Sequence, residues 1–527
     1  HVKNIYSDKT YYFLSCDLGD GKRMQTDQGT TASPTNYITK FNDFAFYEQD
    51  DINLNKSGRE WYDKTNFDVT TSRHYSFSFP NIDMVTPVVV KAVAAARSVG
   101  VSSAFTVSVN NDPLVSFGIP SVTDNYLAVY AKQNTGSGSF TATADNFTVS
   151  LKYTRYITSA IGYLNYLEVT AMRNLVMSGN QMQFRSILSQ GAGKTAEFRL
   201  TTQGQTVNVW DVTTTGDAQV IATTFNAGLC TFRVATDSLR EFIAFDGNSY
   251  FSPEFVGQVA NQNLHGADNY DYVIVTHPDL LAEAQRLAQF HRTHDDFNVL
   301  VATTEQVYNE FSSGAQDISA IRDFMKMLYD RSGGTKPGYL LLFGDASYDY
   351  KNRITGNLNL VPTCQSAESL SPAETYATDD FFAMLHASEG ASLIGSIDLG
   401  CGRFPVQTTE EAAAAVNKII HYCSNTDSVK GNWRNVLCFV ADDEDSNLYM
   451  DQTEDLTNAV TAGYPEFNVD KIYLDAYTQL STPGGQRIPE VNEAINKRMK
   501  NGALIMNYIG HGGEVGWAHE RVLEVAD

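Results

Sequence analysis

His511 is the residue best placed by type and spacing to do chemistry, in the run Asn507-Tyr-Ile-Gly-His-Gly-Gly-Glu-Val-Gly-Trp517. The apolar stretch from Ala503 to Tyr508 reads as a buried strand, which delivers His511 to a carboxyl end between Gly510 and Gly512. An imidazole titrates close to neutral pH, so it can take a proton from a nucleophile. Glycines beside it let backbone amides approach a reacting carbonyl closely. His519 follows soon after, but no third ligand at zinc spacing accompanies the pair, and no metal is assigned there. Asp345 and Asp349, in Gly344-Asp-Ala-Ser-Tyr-Asp349, also follow an apolar strand. Without a glycine-rich phosphate cradle beside them, they read as residues that hold a loop. The six cysteines (Cys16, Cys230, Cys364, Cys401, Cys423 and Cys438) lack CxxC spacing; they do not read as a zinc site or disulfide framework, and most read as buried thiols.

Two kinds of element surround these residues. Up to about residue 260 the pattern has period two, as in His74-Tyr-Ser-Phe-Ser-Phe79, Ala104-Phe-Thr-Val-Ser-Val109 and Asn146-Phe-Thr-Val-Ser-Leu151. Alternation of this kind marks half-buried strands, and Asn110-Asn111-Asp112 supplies a turn between two of them. After Asn269 the pattern alternates apolar strands (Tyr272–Val275, Val299–Val301, Tyr339–Phe343, Val436–Val440) with helical stretches. One helix follows Asp317, another opens at Thr408 with Glu411 as capping-box partner, and a third starts near Pro489. The predicted architecture is multidomain: an all-β N-terminal half of sandwich-like modules, then an α/β region with a mostly parallel sheet. The expected divisions are an irregular β-rich lead-in over 1–65, a β-sandwich region over 66–265, and two α/β subdomains over 266–430 and 431–527. In parallel sheets the chemistry collects at the carboxyl ends of the strands, where His511 stands.

The run from Asn507 to Trp517 resembles the gingipain-type cysteine peptidases, whose fold is caspase-like and which carry Asn-Tyr-x-Gly-His-Gly-x-Glu-x-x-Trp at a strand end. A second match is Ala377-Thr-Asp-Asp-Phe-Phe-Ala-Met-Leu385, followed by Gly402-Arg-Phe-Pro405 and the capped helix ending in His421-Tyr422. The resemblance covers roughly residues 267–527. It implies that His511 takes the proton of a cysteine thiol, whose thiolate attacks a peptide carbonyl, and that the Gly512 amide supplies one oxyanion donor. It also implies an acid just after the strand Val436–Val440. Asp443 is the best positional match within Asp442-Asp-Glu-Asp445, an acidic run that also reads as a solvated loop or a calcium site. The family's nucleophile belongs on the next strand, past Asp527, so these residues alone are expected to be inactive. Where arginine-specific members carry a pocket aspartate, the alignment places Leu448 or Tyr449, which argues against Arg or Lys specificity.

The long β-rich region and the missing pocket acid resemble a sortase-like branch of this family. That resemblance implies a cell-surface, outer-membrane-associated transpeptidase of a type IX secretion system. Its partners would be secreted cargo proteins with C-terminal sorting domains, anionic lipopolysaccharide as acceptor, and the outer-membrane barrel protein PorV. A secreted hydrolytic endopeptidase and an inactive peptidase-fold scaffold are the competing expectations. No cofactor is required, although structural calcium is compatible with the acidic run. The 61 acidic and 38 basic residues give a net charge of −23, which would repel a phosphate backbone and argues against nucleic-acid binding. No apolar run approaches the roughly 20 residues that span a bilayer. Beginning at His1 without an initiator Met, the chain is expected to be a mature or truncated product.

Overall fold

The computed structural model describes residues 3–16, 19–125, 128–202, 204–513 and 515–527. They divide into two compact units, His1–Ala413 and Ala414–Asp527, and the division falls inside the helix Thr409–Cys423.

The N-terminal half is built on one nine-stranded sheet that includes Lys40–Glu48, Val88–Arg97 and Ile161–Asn174. Two four-stranded sheets pack on it, because each alternating strand presents an apolar face that must be buried. One core sets Val90, Ala92, Leu164 and Val169 of the large sheet against Phe105, Val107, Phe147 and Leu151. The other sets Phe41, Phe184 and Phe242 against Phe198, Leu200 and Phe232. The turn expected at Asn110-Asn111 closes the hairpin Ser103–Val109/Asp112–Ile119, both residues lying at positive φ (50° and 76°). The lead-in expected over residues 1–65 is not a separate module. Lys40–Glu48 pairs along its length with Ile161–Asn174, and Asn36–Ile38 joins the smaller sheet at Thr195–Thr201. Its irregular sequence hid these strands because cross-strand packing, not local alternation, fixes them.

The remainder of the first unit holds four parallel strands in the order Val299–Thr303, Tyr272–Thr276, Tyr339–Phe343, Gly400–Phe404. The helix Ile318–Arg331 starts where the sequence places it, with the Asp317 carboxylate accepting from the Ser319 N–H at 2.8 Å. At Thr408 the cap is displaced by one residue from a reciprocal box. The Thr408 hydroxyl accepts from the Glu411 N–H, while the Glu411 carboxylate accepts from the Gln407 N–H. The stretches Ala377–Leu385 and Gly402–Pro405 meet in a forked ion pair, Arg403 Nε and Nη2 each donating to Asp379 at 2.8 Å. Arg403 also donates to the carbonyls of Gly344 and Val361, so one guanidinium ties three loops together. Asp345 and Asp349 hold the loop after Phe343, as their spacing suggested. The Asp345 carbonyl accepts from Leu360 and Val361, and the buried Asp349 carboxylate accepts from the Ile354 N–H.

The second unit has three parallel strands, ordered Asn468–Tyr473, Val436–Ala441, Ile505–Ile509. The helices Leu448–Gly463 and Pro489–Asn501 complete the alternation. Its core gathers Cys438, Val440, Ile472, Val491 and Ile495. Among the described residues no helix is long and apolar enough to cross a membrane.

Candidate active site

Two neighbouring parallel strands bring the site together. Their register pairs Ala441 with Ile509, so Asp442 leaves one strand beside the point where Gly510 and His511 leave the other. The Asp442 N–H donates to the Ile509 carbonyl at 3.1 Å, which extends the ladder by one step. Asp442 Oδ2 then accepts from the His511 backbone N–H at 2.8 Å and lies 3.1 Å from His511 Nδ1. With the carboxylate at Nδ1, the ring carries its proton there and turns an unprotonated Nε2 outward. A Cβ on Gly510 would stand 2.3 Å from the Asp442 Cβ and 2.5 Å from the Tyr508 hydroxyl, so only glycine fits between strand and acid.

Other residues of the Asn507–Trp517 run hold the histidine's backbone. The Tyr508 hydroxyl and the Ala518 N–H both donate to the His511 carbonyl, at 2.6 and 2.8 Å. The Tyr508 ring stacks on Trp517 with centroids 4.4 Å apart. Burial, with the Asp442 charge nearby, pushes the Tyr508 phenol far above its ordinary range, so it remains a donor. Gly512 pairs with Trp517 in a single antiparallel bridge, and a Cβ added to it would meet only open space. Glu514, part of the same run, lies outside the described residues.

The acid expected at Asp443 is Asp442. A shift of one residue along extended chain turns a side chain to another face, and four consecutive acidic positions gave the sequence no internal reference. Asp442 is almost wholly buried at 1% exposure, whereas Asp443 touches Asp442 only through its own N–H, 3.0 Å from Asp442 Oδ1. Burial first, then the charges of Glu520, Asp442 and Asp475, push the Asp443 carboxyl upward.

The outward side of the ring faces the start of the helix Leu448–Gly463. Asp445, Ser446 and Asn447 all lie at positive φ (54°, 58° and 68°), a strained run that turns the chain sharply before Tyr449. The Tyr449 ring stands edge-on to His511, its hydroxyl donating to Asp445 at 2.8 Å and lying 3.4 Å from Nε2. Asp445 Oδ2 is 3.5 Å from the same nitrogen. Tyr449 is thus brought to the site, while Leu448 on the same turn is largely exposed. Glu454, one turn along, is occupied elsewhere by Lys471 and Tyr473. The His511 ring also stacks on His519, with centroids 5.7 Å apart. Glu444 accepts from His519 Nδ1 at 2.7 Å and holds that imidazole above its usual value.

Sequence reasoning did not pick out Asp445 or Glu520 for this neighbourhood. Glu520 lies with Asp442 and Asp443 in a group of carboxylates close enough to share a metal ion. The only advance signal for Asp445 was its membership of the acidic run, and for Glu520 there was none. Cys438 sits inside the strand Val436–Ala441, fully buried, and burial pushes its thiol up to about 11. Cys364, in the first unit, is likewise pushed up to about 11 by burial. Among the described residues no thiol is hydrogen-bonded to His511.

Residues 265–527 match the model of Peptidase family C25. The chain is similar to dimeric latent PorU from Porphyromonas gingivalis, with a TM-score of 0.67 and 28% identity over 76% of this chain. It spans 39% of that PorU chain. It also aligns with the complex of the pro- and mature domains of RgpB from Porphyromonas gingivalis. There the TM-score is 0.33 and the identity 17%, over 48% of this chain and 50% of that one. No curated protein matches the chain.

Proposed function

Because residues 265–527 belong to peptidase family C25, we propose that this PorU-like, gingipain-family chain is the larger part of a cysteine transpeptidase of a type IX secretion system. The single observation that carries a catalytic reading is the His511–Asp442 pair at the carboxyl ends of adjacent parallel strands. In the proposed reaction a cysteine thiol gives its proton to His511 Nε2, and the thiolate attacks the carbonyl carbon at the scissile bond. The Gly512 amide is the proposed donor to the resulting oxyanion. Collapse breaks the C–N bond, His511 returns the proton to the departing amine, and a thioester remains. An amine of the acceptor then attacks the thioester and restores the thiol. With water in its place, the product would be a free carboxylate, so sortase and hydrolase differ only in this last step.

None of the six cysteines here engages His511, and the thiol of the dyad is proposed to come from outside these residues. The proposed substrates are secreted cargo proteins with C-terminal sorting domains, the proposed acceptor is anionic lipopolysaccharide, and the proposed docking partner is PorV at the outer-membrane surface. What supports this reading is the likeness to PorU through both the β-rich and peptidase halves, with Tyr449 beside His511 where a pocket acid would otherwise stand. Mass spectrometry of the cargo's new C-terminus, with wild-type and His511→Ala full-length protein, tests it. An amide-linked acceptor that disappears in the variant is expected. A free carboxylate would replace the sortase reading by hydrolysis, and unchanged processing by His511→Ala would remove the catalytic one.

A further inference from the structure

In the N-terminal half, the large sheet keeps one face open. Along Lys40–Glu48, Phe41 joins one core while Ala45 and Tyr47 pack against the other, so both four-stranded sheets lie on the side of the odd-numbered positions. Asn42, Phe44 and Phe46 therefore turn to the opposite side. The register sets Met172 beside Asn42, and Thr170 between Phe44 and Val89. Phe44 is 52% exposed and Val89 39%. These residues, with Arg185, line an open cavity of about 470 Å³, a volume within the usual range of small-molecule sites.

The lining determines what kind of ligand fits. Its ionic groups already have partners: Asp43 accepts from Arg173 Nη1 at 2.7 Å, Arg185 is bridged to Glu241, and Glu168 sits opposite Lys91. What remains for a ligand is neutral. Asn42 Oδ1 accepts from the Ile187 N–H at 3.0 Å, which leaves the amide NH2 to donate. The exposed Thr170 hydroxyl can donate or accept, while the Phe44 ring, Val89 and Met172 offer apolar surface. A peptide cannot be added here as a further strand. Lys40–Glu48, Val88–Arg97 and Ile161–Asn174 each pair with a neighbour on both sides, so no backbone edge is free at the cavity.

We propose that this cavity binds an uncharged saccharide. A sugar ring presents C–H groups on its faces and hydroxyls around its edge. It can therefore lie on the Phe44 ring while its hydroxyls meet the Asn42 amide and the Thr170 hydroxyl. Recognition then runs through side chains alone, as a position in the middle of a sheet demands, and paired charges in the walls leave nothing to select a charged ligand. The site gives the β-rich half a binding role of its own. It uses none of the residues around His511 and stands whether the peptidase half acts as a sortase or a hydrolase.

A glycan array probed with the full-length protein tests it, followed by calorimetry with each oligosaccharide that binds. The array carries uncharged oligosaccharides of hexoses, pentoses and N-acetylhexosamines beside sulfated and phosphorylated ones. At least one uncharged oligosaccharide is expected to bind the wild-type protein, a readout that does not depend on any variant folding. Its affinity should fall at least about tenfold in Phe44→Ala, which removes the stacking surface, and in Thr170→Lys, which fills the cavity. Tyr156→Ala, which removes an exposed ring elsewhere, should change nothing. Circular dichroism confirms that each variant is folded. Failure of every uncharged oligosaccharide to bind at about 1 mM would overturn the proposal, as would binding confined to the charged ones. Binding that folded Phe44→Ala and Thr170→Lys both retain in full would place the saccharide elsewhere and overturn it too. Wild-type dimers that Phe44→Ala converts to monomers, read by light scattering, would assign the face to a second copy of the chain instead.

Discussion

One oxygen of the Asp442 carboxylate receives both the backbone N–H and the ring Nδ1 of His511, at 2.8 and 3.1 Å. The acid therefore fixes the position of the histidine's chain and the tautomer of its ring together. Asp442→Asn preserves the shape but presents an amide whose NH2 cannot accept from Nδ1. In the full-length enzyme this change should lower kcat/KM by about 10²–10⁴-fold. Asp443→Asn should lose much less. The reverse order of effects would restore Asp443 as the orienting acid.

The thiols divide by burial, which can be read by timed alkylation and mass spectrometry of the native chain. Cys16 is exposed and should be modified first. Cys438 and Cys364, both buried with thiols raised to about 11, should react only after unfolding. Rapid labelling of native Cys438 by a peptidyl electrophile would mean that the nucleophile had been assigned wrongly.

Specificity should follow the missing pocket acid. A guanidinium needs a carboxylate in its pocket, since leaving the charge unpaired there forfeits its hydration. Leu448 and Tyr449 stand where that acid was sought, and Glu454 is taken by Lys471 and Tyr473. Peptides that vary only the residue before the scissile bond should be processed best with Gly, Ser or Ala. A preference for Arg or Lys would point to Asp445, the acid nearest the outward nitrogen of His511.

The Glu444–His519 contact carries a pH signature. Its imidazole is held above the ordinary value of 6.5, chiefly by the hydrogen bond to Glu444. A group with a raised folded pKa contributes stability that is full below its unfolded pKa and is lost as pH rises through the folded one. Glu444→Gln should therefore lower Tm at about pH 6 and have less effect at about pH 9. The side chain is nearly half exposed, so solvent screening keeps the effect small. An equal loss at both pH values would show that Glu444 acts by packing and not through the charge on His519.

The sequence alone determined most of the elements and the place of the candidate histidine. Period-two alternation marked the sandwich strands, apolar runs marked the parallel ones, and the Asn507–Trp517 run placed His511 at a strand end between glycines. These are local properties, written in consecutive residues. Tertiary structure decided which acid meets the ring, because that depends on the register Ala441↔Ile509 between strands far apart in sequence. It likewise drew Lys40–Glu48 into the large sheet, where pairing with Ile161–Asn174 outweighs an irregular local pattern. The gathering of Glu520 with Asp442 and Asp443 was the least legible of all. A lone glutamate in a turn looks solvated until the fold removes it from water, and only burial turns its charge into a demand for a partner.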